Sequence, residues 1–428
     1  MAQELGIRMK RKLVITFISL FVTTLSWSQT CDISGVTSSM ICAGKTVNSV
    51  SGTAACMSAS TVTDVDLTDK VSQVVQIVAA DTGGITAGTV TLTGTDAAHF
   101  RLDPIKFVSR KGNDLSYIAK DGEPAIFSVV KIGNLSSSLS AKLKYTEGSA
   151  ATKEIALSAD PANTALKLWL NVSTLSFSDL GNAGDDVDSS GTLTNGDRIA
   201  NWADLTGNAT LVNTTDNQKP KYITGAISTD TPALHFDGSN DILVTAGNIA
   251  GVDFDISDKF TIFLVAHGGG TDNSNGGYAV GTLDGTDWRG WSIRFLPYTA
   301  QSQIMLRDSW ADWCQRAFED GDQDGGYSII TATFSGTNTT NTNASGLGYY
   351  LDGENRGTNN GNVGSMTTSV GGHSFSVGAL ANNARPFKGY ISEVIVFSDE
   401  LSSADRQHYE CYLAGKYGVT RGINNSCP

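Results

Sequence analysis

Long apolar runs are scarce in this chain of 428 residues. The longest sustained one near the start, Leu13 to Leu25, falls short of the roughly 20 residues that a spanning helix needs. No CxxC pair occurs and the 5 histidines are scattered, so the spacing of a structural zinc site is missing. Positive charge is also in deficit: 30 Lys and Arg stand against 43 Asp and Glu, a net charge of −13. Such a chain is repelled by phosphate backbones, which argues against nucleic acid as a partner. Long helical periodicities are rare as well. What is abundant is Gly, Ser, Thr, Asn and Asp, the composition of short strands joined by many turns.

The first thirty residues read as a secretory signal. Arg8, Lys10, Arg11 and Lys12 precede the apolar run, and Ser26-Trp-Ser-Gln-Thr30 follows it, the order of a basic, an apolar and a small or polar region. Those residues carry four bases and one acid (Glu4), so without them the charge moves from −13 to −16. The expected location is secreted or cell-surface, with no transmembrane segment in the mature chain. Cys31, Cys42, Cys56, Cys314, Cys411 and Cys427 remain. An even cysteine count in an exported chain predicts disulfides, with the pairing left open.

The remainder divides by composition. Residues 31–60 are small, polar and cysteine-bearing, and predict a disulfide-stapled lead-in. Residues 61–160 hold strand-like phrases at Val71–Val78, Gly88–Gly94, Ala125–Ile132, Leu139–Tyr145 and Lys153–Ser158. That number and spacing predict an immunoglobulin-like sandwich. The phrase Thr93-Gly-Thr-Asp-Ala-Ala-His-Phe100 with the two later strands resembles the Ig-like repeats of bacterial surface proteins, which implies a spacer or presenter. Residues 165–420 form the larger unit and 421–428 a tail.

In that larger unit five phrases stand in order: Leu166-Lys-Leu-Trp-Leu170, Asn201-Trp-Ala-Asp-Leu-Thr-Gly-Asn208, Phe236-Asp-Gly-Ser-Asn-Asp241, Tyr350-Leu-Asp-Gly353 and Gly389-Tyr-Ile-Ser-Glu-Val394, before Leu401-Ser402. Together they resemble the concanavalin A-like, laminin-G-like jelly roll. The resemblance implies two stacked antiparallel sheets with ligands on the concave face or edge loops. The expected fold class is therefore all-β: an Ig-like sandwich, then a jelly-roll sandwich with a short C-terminal helix. Ser402-Ser-Ala-Asp405 is close to a capping box. Leu401, Ala404, Tyr409, Tyr412 and Leu413 follow one helical face, and Gly415 or Gly418 can end the helix. Its expected place is over a sheet edge.

Candidate chemistry centres on Asp186-Val-Asp-Ser-Ser-Gly-Thr-Leu-Thr-Asn-Gly-Asp197, which resembles the calcium loop of EF-hand and dockerin proteins. Asp186, Asp188 and Ser190 place oxygens at alternate positions, Gly191 permits the sharp turn, Thr192 offers a carbonyl, and Asp197 closes the loop where Glu is usual. Calcium is accordingly the expected cofactor. Asp320, Asp322 and Asp324 repeat the acidic alternation, and Asp237, Asn240 and Asp241 form a third acidic turn. Trp288, Trp310 and Trp313, with Asp308 and Asp312, are the candidate sugar contacts: indoles stack on sugar rings while carboxylates bond hydroxyls. Trp169, Trp202 and Trp291 lie in strand phrases and are expected in the core.

A glycosidase needs two carboxylates facing across a cleft. Laminarinase-type relatives of this fold carry them as Glu-x-Asp-x-x-Glu, a phrase this sequence lacks. Glu393 lies on a strand without a carboxylate two positions on, and is expected at an edge or turn. No local signature of a Ser/His/Asp or Cys/His nucleophile is present. The expected function is a carbohydrate-binding or adhesive surface protein with structural Ca²⁺, whose partners are a polysaccharide or glycoconjugate and other surface proteins. A divergent polysaccharide hydrolase and a ligand-free structural spacer are the alternatives.

Overall fold

The computed structural model describes residues 30–33, 38–42, 45–48, 52–55, 64–67, 72–78, 85–106, 108–111, 114–120, 125–131, 141–147, 153–159, 165–228, 231–268, 276–296, 302–309, 313–317, 327–336, 346–356, 359–363 and 372–419. The fold is a pair of β-sandwiches in series with one helix of any length among the described residues, Ser403–Tyr417.

The first sandwich stacks a 6-stranded on a 5-stranded sheet. Its core is Val75, Val90, Leu102, Leu115, Phe127, Val129 and Leu143, all fully buried. Two pairings are parallel, Lys153–Ala159 with Asp64–Leu67 and Ser38–Cys42 with Ser72–Val78. The second of these changes the expectation for residues 31–60. Ser38–Cys42 and Lys45–Asn48 are hydrogen-bonded into the 5-stranded sheet, so the stretch does more than lead in. Its strands carry Cys31 and Cys42, while Cys56 and Cys427 lie outside the described residues.

The second sandwich stacks an 8-stranded on a 9-stranded sheet. Leu168, Leu170, Leu234, Ile262, Leu264, Ile330 and Val394 of the first meet Trp202, Leu211, Val280, Trp291, Ile293, Ile304 and Leu306 of the second. Trp169, Trp202 and Trp291 are fully buried as expected. Only Trp202 and Trp291 belong to this core; Trp169 faces the opposite way.

The acidic phrases each organise a turn. Asp204 accepts the Trp169 N–H at 2.7 Å and the Thr206 and Asn208 N–H groups at 3.0 Å, tying the Trp-x-Asp turn to the opening strand. Asp352 adopts φ 50° and Gly353 φ 81°, both left-handed as a tight hairpin turn requires, and the Asp352 carboxylate accepts the Ile329 N–H at 2.7 Å. Asp241 accepts the Asp237 N–H at 2.8 Å, and Asp237 accepts that of Ser239 at 2.7 Å.

Burial pushes the Asp241 carboxyl up to about 7. Because the folded state holds this proton more tightly than the unfolded chain, stability from this group is complete below about pH 4 and is lost as pH rises through about 7. Asp241→Asn keeps the acceptor without the charge. Its expected result is a gain in stability over the parent that grows from pH 4 to 8, bounded by about 4 kcal/mol, read as the difference between paired melting curves.

The C-terminal helix follows its sequence signals. Ser402 caps it by accepting the Asp405 N–H at 3.1 Å, and Gly418, at φ 67°, ends it. Tyr409, Tyr412 and Leu413 are buried, whereas Ala404 is exposed, and Arg406, Glu410 and Lys416 are buried in its place. Arg406 pairs with Glu410 at 2.5 Å and lies over the Tyr350 ring. Cys411 is disulfide-bonded. The helix does not close a sheet edge. It covers the outward face of the 8-stranded sheet, over Trp169, Phe263, Ile329, Ile395 and Phe397, and Val130 of the first sandwich joins the same cluster.

At that junction sits a buried ionic network. Arg101 forks onto Asp103 at 2.7 and 2.6 Å. Tyr412 donates to Asp103 at 2.7 Å. Glu393 accepts from Trp169 Nε1 at 2.6 Å, Lys416 Nζ at 2.8 Å, and the hydroxyls of Tyr417 and Tyr412 at 2.7 and 3.2 Å. Glu393 is therefore no edge or turn acid: it is 1% exposed in a central strand, with its oxygens committed to these donors. Burial raises the Tyr412 and Tyr417 phenols, which stay protonated, and lowers the Lys416 ammonium against the attraction of Asp103 and Glu393. Two cations and two carboxylates cancel, the condition under which buried charges are tolerated.

Candidate functional site

The acidic loop is built on a fixed base. Asp185, fully buried, accepts from Gly181 N at 2.9 Å, Asn182 N at 3.0 Å and Lys219 Nζ at 2.7 Å. Main-chain bonds from Arg198 N to Asp185 O (3.0 Å) and Tyr222 N to Asp197 O (2.7 Å) close the base against the strand Lys221–Ser228. Between them the chain turns at Ser189, Gly191 and Gly196, with φ of 54°, 69° and 99°. Gly191 is thus left-handed, as the sharp turn requires.

This path brings Asp186, Asp188 and Asp197 together, with one carboxylate oxygen of each within 4.8 Å of the others. Asp186 and Asp197 are buried and Asp188 is exposed. Amide donors surround the acids. Asp186 accepts from Ser190 N at 3.2 Å and Gly191 N at 2.9 Å. Asp197 accepts from Val187 N at 3.0 Å and Thr194 N at 2.7 Å. Asp188 accepts from Ser190 N and the Thr194 hydroxyl at 3.0 Å, and hydrogen bonds from Ser190 and Thr194 hold its carboxyl below the usual range.

Ser190 and Thr192 are placed differently. The Ser190 hydroxyl donates to the Thr192 carbonyl at 3.0 Å, so the two satisfy each other beside the carboxylates. Thr194 is the residue the sequence reading passed over. It stands ninth from Asp186, a position that calcium loops of this spacing use, and that count is the signal that finds it. Three carboxylates this close repel, and a hard divalent cation is the group whose charge and oxygen preference would relieve them.

The aromatic candidates separate. Trp310, Asp312 and the acidic stretch of Asp320, Asp322 and Asp324 lie outside the described residues. Trp313 opens the strand Trp313–Ala317, where it pairs with Arg307. Trp288 occupies a hairpin tip at φ 61°, a conformation costly for a bulky residue. It is half-buried against Tyr278, Leu283 and Leu380, and the Arg307 guanidinium lies 5.2 Å from its ring, within cation–π range. Arg289 donates to the Asp308 carbonyl at 3.0 Å, and Asp308 itself is buried. The structure thus brings Trp288 and Asp308 to one end of the 9-stranded sheet with two arginines between them. The indole and two guanidinium groups lie together, one guanidinium against the indole and the other on the Asp308 carbonyl.

Sequence comparison finds no matching protein family and no matching curated protein. Among solved structures, the chain is similar to the binding domain of botulinum neurotoxin serotype D, at 14% identity and a TM-score of 0.37, over 58% of this chain and 51% of that one. It is also similar to domain 4 of AbnA, a GH43 extracellular arabinanase from Geobacillus stearothermophilus in complex with arabinotriose. There the identity is 14% and the TM-score 0.32, over 56% of this chain and 95% of that one. The binding domain of Paraclostridial Mosquitocidal Protein 1 aligns at 12% identity and a TM-score of 0.36, over 51% of this chain and 52% of that one. The chain spans about half the length of the toxin domains it matches. Among the described residues no helix is long and apolar enough to cross a membrane.

Proposed function

We propose that this chain is an exported carbohydrate-binding protein in which a laminin-G-like second sandwich carries the sugar site, an Ig-like first sandwich presents it, and Ca²⁺ bound by Asp186, Asp188 and Asp197 stabilises the loops. The observation that carries the reading is the placement of Trp288 against Arg307, with Arg289 bonded to the Asp308 carbonyl, at one end of the 9-stranded sheet. A half-buried indole held by its own turn and by a guanidinium is already ordered before a ligand arrives, so little rotamer freedom is lost on binding.

A glycan array with the purified chain is the direct test, with Trp288→Ala as the probe. Saturable binding to at least one glycan is expected, weakened tenfold or more in the variant, about 1.4 kcal/mol. A silent array overturns the reading. Release of reducing sugar from a bound polysaccharide would replace it with the hydrolase alternative.

A further inference from the structure

The ionic junction between the sandwiches is also a reactive arrangement. On the strand Phe100–Lys106, Leu102 enters the core of the first sandwich. Alternation therefore turns Arg101 and Asp103 to the opposite face, where they meet the second sandwich. On the strand Lys388–Phe397, Val394 enters the second core, so Glu393 points the other way. The helix Ser403–Tyr417 supplies Tyr412 and Lys416, four positions apart and hence on one face. Three elements distant in sequence thus place a lysine, an aspartate and a glutamate together.

Lys416 Nζ lies 2.8 Å from Glu393 Oε2 and 3.5 Å from Asp103 Oδ2. Water is shut out: the Asp103 and Glu393 side chains are fully buried, and that of Lys416 is 3% exposed. The rings of Tyr412 and Tyr417 stand 5.6 and 5.1 Å from the same nitrogen. The Tyr412 hydroxyl bridges the pair, accepting from Lys416 Nζ at 3.3 Å and donating to Asp103 Oδ2 at 2.7 Å. Burial lowers the Lys416 ammonium against the attraction of Asp103 and Glu393, which brings the free amine nearer. A buried ion pair is the plain reading of these contacts. Such a pair carries a desolvation cost that loss of both charges would relieve.

From this geometry we propose that Lys416 and Asp103 condense into an amide, a covalent bond between the two sandwiches. The Tyr412 hydroxyl relays a proton from the Lys416 ammonium to Asp103 Oδ2, leaving a neutral amine and a carboxylic acid. The amine nitrogen adds to the Asp103 carboxyl carbon, and the negative charge that develops on Oδ1 meets Arg101 Nε, 2.7 Å away. Glu393 takes one proton from that nitrogen and returns it to Oδ2 through the Tyr412 hydroxyl, which lies 3.2 Å from Glu393 Oε1. The carbon–Oδ2 bond breaks and water leaves, while Glu393 and Tyr412 end as they began. One cation and one carboxylate vanish together, so Arg101 and Glu393 still balance. No outside reagent is needed, because groups held in place carry effective concentrations of about 10⁵–10⁸ M. The inference stands apart from the carbohydrate-binding reading.

Mass spectrometry of the full chain, reduced and denatured, tests it. The expected mass is one water below that of the linear chain, and a protease digest should contain one branched peptide holding both Asp103 and Lys416. Lys416→Arg keeps the charge and is expected to show the full mass. Glu393→Gln is expected to condense about a hundredfold more slowly than the parent in a time course after cell-free synthesis, with circular dichroism reporting that it is folded. A folded parent of full mass, with Asp103 and Lys416 in separate linear peptides, overturns the proposal. So does a loss of water that persists in Lys416→Arg. A Glu393→Gln chain that condenses at the parent's rate overturns the part given to Glu393. Should either variant fail to fold, the presence or absence of the branched peptide in the parent still decides.

Discussion

Glu393→Ala is expected to destabilise the protein by about 3–5 kcal/mol, the cost of leaving a buried ion without its partner. The carboxylate holds Lys416 at 2.8 Å and accepts from Trp169, Tyr412 and Tyr417. Without it Lys416 keeps Asp103, at 3.5 Å, as its counter-charge and the Tyr412 hydroxyl at 3.3 Å, and burial already lowers its ammonium. Urea unfolding followed by tryptophan fluorescence should show a lower midpoint. Because Asp103 belongs to the first sandwich and Glu393 to the second, the transition should also split in two. Glu393→Gln keeps the shape and loses only the charge, so its cost should be smaller. A double-mutant cycle with Asp103→Asn is expected to give a coupling of about 1 kcal/mol or more between the sandwiches. Additivity would mean that the two sandwiches fold independently.

Calcium is expected to raise the melting temperature in a way that depends on its concentration, with about 2.7 kcal/mol gained at one hundred times the dissociation constant. The loop carboxylates converge within 4.8 Å, and their amide donors hold the oxygens in place before the ion arrives. Asp188→Asn is the informative variant, since Asp188 is exposed while Asp186 and Asp197 are buried, and asparagine keeps an oxygen to accept the Ser190 N–H. It should melt near the chelated parent and respond little to added calcium. If chelator leaves the parent's melting temperature unchanged and calorimetry shows no calcium heat, the loop is a hydrogen-bonded turn and the ion has no part in it.

The acidic loop was legible because its geometry is local: alternate oxygens, a glycine at the turn and a closing acid are all encoded within twelve consecutive residues. The burial of Trp202 and Trp291 was legible for the same reason. Glu393 was not, because its donors come from residue 169 and from 412–417, and no period in its own strand announces them. The strand Trp313–Ala317 was hidden because Trp-Cys-Gln-Arg-Ala carries no clear apolar alternation.

The ionic junction also sets an order of assembly. Arg101 and Asp103 meet Tyr412 across 311 and 309 positions of sequence. During synthesis the first sandwich is complete long before the strand Lys388–Phe397 and the helix Ser403–Tyr417 exist. Its two charged groups must therefore stay hydrated in that interval, and they lose their water only when the last helix docks. Docking is a distant, late contact, the kind that slows folding. The final step of maturation would then be the seating of the C-terminus, and a chain truncated before residue 403 would retain a folded first half with an open ionic socket.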